Sequence, residues 1–224
     1  MSESYDNKNS SHVQLMDSMY RVQRYFYDAS RKFYLFGRDL LIREIPVQPG
    51  QHILEVGCGT GRNLILLAKR HPNAKFWGLD ASHEMLKTAC AKIEKKGLQN
   101  QIELRHGLAE DLHPQTMFGM DEAFDVIFFS YSLSMIPGWS GSVEVAMQHI
   151  KPGGYLYLVD FWDQTKLPKW FQRLLKAWLS LFHVRHDPKM IPYLEETAKK
   201  YQTELHLQSV MGQYAFLASI QKPL

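Results

Sequence analysis

The chain has 224 residues, 45% hydrophobic and 22% charged, the make-up of one ordinary globular domain with a full core. Its 26 basic and 23 acidic residues leave a formal net charge of +3, too balanced to argue for nucleic acid on charge alone. Two cysteines, Cys58 and Cys90, make no disulfide framework and no metal motif, the polar start "MSESYDNKNSSH" lacks an apolar signal core, and no apolar run is long enough to span a bilayer.

Residues 1–12 read as a disordered tail. From 13 to 45 the pattern is helical and rich in Tyr and Arg, until "PVQPG" breaks it. Strand-like and helix-like stretches then alternate through 46–224. "HILEV" predicts a strand and "GRNLILLAKRH" a helix. "AKFWGLD" predicts a strand and "SHEMLKTACAKIEKKG" a helix capped by Ser82. "QIELRHG" and "FDVIFFSYS" predict strands, with "SGSVEVAMQHI" a helix after the second. "GGYLYLVDFW" predicts a strand, "PKWFQRLLKAWLSLFH" a helix and 188–201 another helix. "TELHLQSV" and "QYAFLASIQ" predict a terminal hairpin. Such alternation implies a mostly parallel sheet covered by helices on both faces, with ligands beyond the carboxyl ends of the strands.

The stretch "HILEVGCGTGRN" places Gly57, Gly59 and Gly61 directly after a strand, a G-x-G-x-G turn rather than the G-x-G-x-x-G of dinucleotide folds. Glu55, at the end of that strand, would repel a pyrophosphate by a few kcal/mol, taking an effective dielectric of ~20. It favours a cation instead. S-adenosylmethionine carries an ammonium and a sulfonium and no phosphate. Asp80 ends the next strand, where an acid holds a ribose diol.

"ILEVGCGTGR", "FWGLD", "AED", "FDVIFFSYSLSMI" and "IKPGGYLYLVDF" stand in an order and spacing that resemble the class I S-adenosylmethionine-dependent methyltransferases over 46–224. The resemblance implies a Rossmann-like α/β fold: a seven-stranded, mostly parallel sheet with a C-terminal antiparallel hairpin, here preceded by an N-terminal helical lid. It implies that Glu55, Gly57 and Gly59 meet the methionine part, Asp80 the ribose, and Ala109 and Glu110 the adenine edge. Cys58, Asn63, Ala81 and Met85 complete the implied cofactor contacts, and Ser130 and Tyr131 the pocket floor. Members of the family often carry an acid where this chain has Leu108, which leaves the adenine amino group to Glu110, a backbone carbonyl or apolar packing.

Two flanking stretches bear on the substrate. The lid sets Tyr20, Arg24, Tyr27, Arg31 and Tyr34 on neighbouring turns, either as ordinary packing or as a cage for a zwitterionic headgroup. In the helix from 169 to 183, Lys169, Gln172, Arg173 and Lys176 share one sector while Trp170, Phe171, Leu174 and Trp178 fill the rest. That is the make-up of a helix lying in a membrane interface, and equally of a packed helix. "MYRVQRYFYDASRKFYLFGRD", "GCGTGRN" and "DFWDQTKLPKWF" together resemble the bacterial betaine-lipid N-methyltransferases. That resemblance implies stepwise methylation of the amine of diacylglyceryl-homoserine, a lipid substrate at the inner membrane surface, and an enzyme supplying that lipid as a partner. It implies no nucleic acid and no metal. Tyr20, Tyr27, Tyr131, Asp160 and Asp163 are the candidates to receive the amine proton, Tyr27, Tyr131 and Asp160 foremost, although Asp160 reads equally as a loop cap. A soluble amine or a quinone-like small molecule is the alternative acceptor, and a non-catalytic cofactor-binding subunit the alternative from another class.

Overall fold

A computed structural model describes residues 35–170, 172–173 and 187–224. The expected tail, most of the expected lid with Tyr20, Arg24, Tyr27, Arg31 and Tyr34, and most of the helix expected over 169–183 lie outside the described residues.

The first described helix is α1 (Arg38–Glu44), entered through Gly37 in a left-handed conformation. Then follow β1 (His52–Val56), α2 (Arg62–Arg70), β2 (Lys75–Asp80), α3 (His83–Lys95) and β3 (Ile102–His106). A short helix, α4 (Pro114–Phe118), precedes β4 (Phe124–Ser130). After it come α5 (Trp139–Gln148), β5 (Ile150–Phe161), α6 (Met190–Lys200), β6 (Leu205–Val210) and β7 (Ala215–Gln221). Apart from α4, each of these strands and helices coincides with a stretch whose apolar pattern predicts it. α4 has only five residues, too few to show a period; Pro114 at its first position is its one signal.

The strand order is β3-β2-β1-β4-β5-β7-β6. β1 to β5 run parallel, and β7 runs antiparallel to both β5 and β6. β1 and β4 are almost wholly buried, which is why "ILEV" and "FDVIFFS" are apolar runs rather than alternations. One face is closed by α1, α2 and α3 through Leu41, Ile42, Leu64, Leu67, Leu86 and Ile93. The other is closed by α4, α5 and α6 through Phe118, Val143, Met147, Leu194 and Ala198.

The chain moves outward from β1 to β3, then crosses back to place β4 on the other side of β1. The helices that follow β1 and β4 lie on opposite faces of the sheet at this switch point, the arrangement in which ligands bind beyond the carboxyl ends of the strands. No helix among the described residues is long and apolar enough to cross a membrane.

Candidate cofactor and active site

The turn after β1 is built by backbone. Gly57, Gly59 and Gly61 all have positive φ, at 74°, 53° and 73°. The amides of Gly57 and Cys58 both donate to the Leu79 carbonyl of β2, at 2.8 and 3.1 Å. A Cβ on Gly57 would lie 2.4 Å from the Ser132 Cβ, so the loop after β4 approaches too closely for any side chain there.

Two acids flank the turn. Glu55 is buried, and Asn63, in the first turn of α2, donates to its Oε1 at 2.7 Å. Asp80 accepts from the Gly59 amide at 2.6 Å and from the Ser82 amide at 2.9 Å. It thus pins the glycine turn to the start of α3, where Ser82 caps the Met85 amide as expected. Burial raises the Cys58 thiol well above its ordinary range, and the negative fields of Asp80 and Glu55 add to it. Both charges therefore converge on this loop. Cys58 itself packs in the core, its Sγ where a Cβ on Gly78 would touch it, so its side chain is a filler and its backbone is what borders the turn.

The comparisons agree with this architecture. A family described as "Methyltransferase domain" matches residues 48–209, more than half of the chain. The chain belongs to that methyltransferase family. The demethylmenaquinone methyltransferase of Listeria welshimeri is 31% identical over 144 residues, which span 64% of this chain and 58% of the Listeria protein. The protein of the same name from Geobacillus stearothermophilus is 26% identical over 222 residues, covering 88% of this chain and 92% of its own. A SAM-dependent methyltransferase structure from Aquifex aeolicus superposes with a TM-score of 0.59 at 18% identity, covering 95% and 97% of the two chains; at that identity it speaks for the fold.

The methyl donor that goes with this family is S-adenosylmethionine, and the residues present fit it on two counts. Buried Glu55 and Asp80 flank a turn whose glycines carry no side chains. The Ser130 hydroxyl, at the end of β4, is buried with no hydrogen-bond partner among the described residues. An orphaned donor of this kind calls for a ligand or a water.

Other expected residues of the methyltransferase are placed as follows. Ala109 is buried at the start of a single 3-10 turn, Ala109–Asp111, with Leu108 extended before it. Glu110 lies over Gly138, which precedes α5: a Cβ there would be 2.6 Å from its Oε1. A carboxylate beside a helix start is electrostatically favoured there. Ala81 is half-buried, and its carbonyl lies 3.0 Å from the His106 Nε2.

Of the proton-acceptor candidates, Tyr20 and Tyr27 lie outside the described residues. Tyr131 is buried at φ 56°, and its hydroxyl donates to the Phe36 carbonyl. Burial pushes its hydroxyl well above the ordinary phenol range, foremost among causes that include Tyr214 and Asp160. Asp160 is fully buried and accepts from the Ser134 amide at 3.0 Å and the Phe161 amide at 2.8 Å. Burial raises its carboxyl to about 6 against these donors. Its geometry is that of the loop cap, holding the turn Leu133–Met135 to the end of β5. Asp163 likewise accepts from the Thr165 amide at 3.0 Å.

The sequence reading missed two features. Ser132 donates to the Val56 carbonyl at 2.9 Å and packs on Gly57, locking the two switch-point loops together. "SYSLS" is its only trace, since hydroxyls that bond backbone leave no periodic mark. His106 stacks on His83 with ring centroids 3.6 Å apart, forming a two-ring wall beside Ala81. Among the described residues no group of three or more His, Cys, Asp or Glu could hold a metal ion.

Proposed function

We propose that this methyltransferase moves the methyl group of S-adenosylmethionine onto a quinone-like small molecule in its reduced form. The observation that carries the reading is the near end-to-end match, over 88% of this chain, to a protein named demethylmenaquinone methyltransferase. When bound, the cofactor supplies an electrophilic methyl group on a positively charged sulfur. The chain supplies orientation and charge. Glu55 and Asp80 hold negative charge on the donor side, and the glycine turn lets the donor approach backbone. The loops pinned by Ser132 and Asp160 keep the acceptor side rigid. Holding acceptor and methyl in line is worth an effective molarity of ~10⁵ M or more, several kcal/mol of barrier.

A second reading, N-methylation of diacylglyceryl-homoserine, is supported by one observation of its own. Glu55, Asp80 and Asp160 are three buried carboxylates at the carboxyl edge, a field that suits a cationic acceptor as well as a cationic donor. Purified protein with methyl-labelled S-adenosylmethionine separates the two. The first reading expects label in a reduced demethylated naphthoquinone and none in the amine lipid. Label that accumulates as successive methyl groups on the amine lipid alone overturns it in favour of the second. Label in neither overturns both.

A further inference from the structure

The carboxyl edge of the sheet carries a second feature. Phe161 pairs with Ala215, so the tip of the β6–β7 hairpin lies at the carboxyl end of β5, on the edge that also holds Glu55, Asp80 and Asp160. The segment following β5 is stitched to that tip. The Trp162 amide donates to the Tyr214 carbonyl at 3.0 Å, and the Gln164 amide to the Gln213 carbonyl at 2.9 Å. The Thr165 hydroxyl donates to the Gln213 side chain at 2.7 Å. A Cβ on Gly212 would sit 3.7 Å from both Lys166 and Leu167. Two stretches distant in sequence thus form one continuous surface.

That surface is apolar and basic together. Trp170 is 69% exposed and Met211 59% exposed, the two most exposed large apolar side chains among the described residues short of the terminal Leu224. Met211 stands at the tip with φ 46°. Lys166, Lys169 and Arg173 are all exposed in the same segment as Trp170. The one acid in the stretch from 162 to 173 is Asp163, whose carboxylate is held by Thr165. An exposed Trp and three exposed cations in this segment, with an exposed Met on the hairpin tip to which the segment is bonded, match the chemistry of an anionic bilayer surface. Trp is at home at the headgroup level, and the cations meet acidic headgroups.

We infer that the hairpin tip and the segment following β5 dock this protein on an anionic lipid bilayer through Met211, Trp170, Lys166, Lys169 and Arg173. Docking in this way sets the carboxyl edge toward the membrane, so an acceptor dissolved in lipid reaches that edge without crossing water. The inference does not depend on which acceptor is methylated.

Flotation of the full chain with phosphatidylcholine vesicles, with and without phosphatidylglycerol, tests it. The expected result is binding to the anionic vesicles, at least tenfold weaker on neutral ones and weaker again in high salt. The triple variant Lys166→Gln, Lys169→Gln, Arg173→Gln is expected to partition about a hundredfold less. Met211→Asn, which tolerates the positive φ, removes only the apolar tip and is expected to weaken binding several-fold. Far-UV circular dichroism and S-adenosylmethionine binding stay unchanged in both variants, since none of these residues belongs to the cofactor site. Wild-type protein that ignores anionic vesicles overturns the inference, and so do folded variants that float as well as wild type. Both measurements omit the acceptor, so the failure of either substrate reading leaves them unaffected.

Discussion

The hydroxyl of Tyr131 donates a hydrogen bond to the backbone carbonyl of Phe36, tying the corner after β4 to the residues that lead into α1. The ring is clamped as well: Phe161 meets it edge-on at 4.7 Å, and Phe161 in turn meets Tyr214 at 5.8 Å. Tyr131→Phe keeps the packing and removes the bond. It leaves a carbonyl unsatisfied, so urea unfolding should show a loss of about 1–2 kcal/mol. Hydrogen exchange should quicken at the α1 amides of Leu41 and Ile42. A hydroxyl that took a proton during catalysis would behave otherwise, costing about a hundredfold or more in turnover with stability nearly unmoved. The structural bond predicts the first pattern.

Gly57→Ala should be the most damaging single change in the glycine turn. The new methyl would meet Ser132 at 2.4 Å, and alanine would have to adopt φ 74°. Overpacking and a left-handed alanine each cost about 1–3 kcal/mol. Relief by shifting Ser132 breaks its bond to the Val56 carbonyl. Thermal denaturation should report a loss of about 2 kcal/mol or more, and calorimetry should find no S-adenosylmethionine binding. Retained binding would mean that the two switch-point loops separate more freely than their contacts imply.

Much of this site was legible in the residues because local chemistry dictates it. A strand ending in G-x-G-x-G, a glutamate before it and an aspartate closing the next strand need no knowledge of the tertiary fold. The acids' opposition to phosphate follows from Coulomb's law alone. The partners of Tyr131, Asp160 and Ser132 were not legible. Each bonds a backbone group contributed by a distant segment: Phe36, Ser134 with Phe161, and Val56. Sequence period reports which face a residue occupies, never which carbonyl lies within reach of it. The His83–His106 stack escaped for the same reason, since parallel pairing of β2 with β3 is what brings the two rings together.

Glu55→Gln isolates charge from shape. Glutamine is nearly isosteric and can still accept from Asn63, which now bonds Glu55 at 2.7 Å. The acidic edge is held to favour the cationic amino-acid end of the donor. The variant should therefore bind S-adenosylmethionine at least about tenfold more weakly, the order of a charge-assisted hydrogen bond. Methylthioadenosine, which lacks the amino-acid end, should lose about threefold or less. Titration calorimetry with both ligands decides the point. Equal losses would place Glu55 as a support for the turn rather than a contact of the cationic end.

Asp160 makes stability depend on pH in a direction opposite to that of most carboxylates. Its carboxyl is raised to about 6 by burial, despite the Ser134 and Phe161 amides that favour the ionised form. In the unfolded chain it returns to about 3.9. A raised native value means that the folded state holds the proton more tightly. The stability this contributes is fully present below about pH 4 and is lost as pH rises through about 6. The shift of about two units corresponds to up to about 3 kcal/mol for this fully buried group. Asp160→Asn cannot ionise, so it loses one backbone bond at every pH but escapes that loss. Urea unfolding of both proteins between about pH 4 and about pH 7 should show the wild-type advantage shrinking by about 3 kcal/mol toward the upper end. A difference constant across that range would mean that the two amide donors hold the carboxyl in its ordinary range. The loop at Leu133–Met135 would then rest on an anion already present in acid.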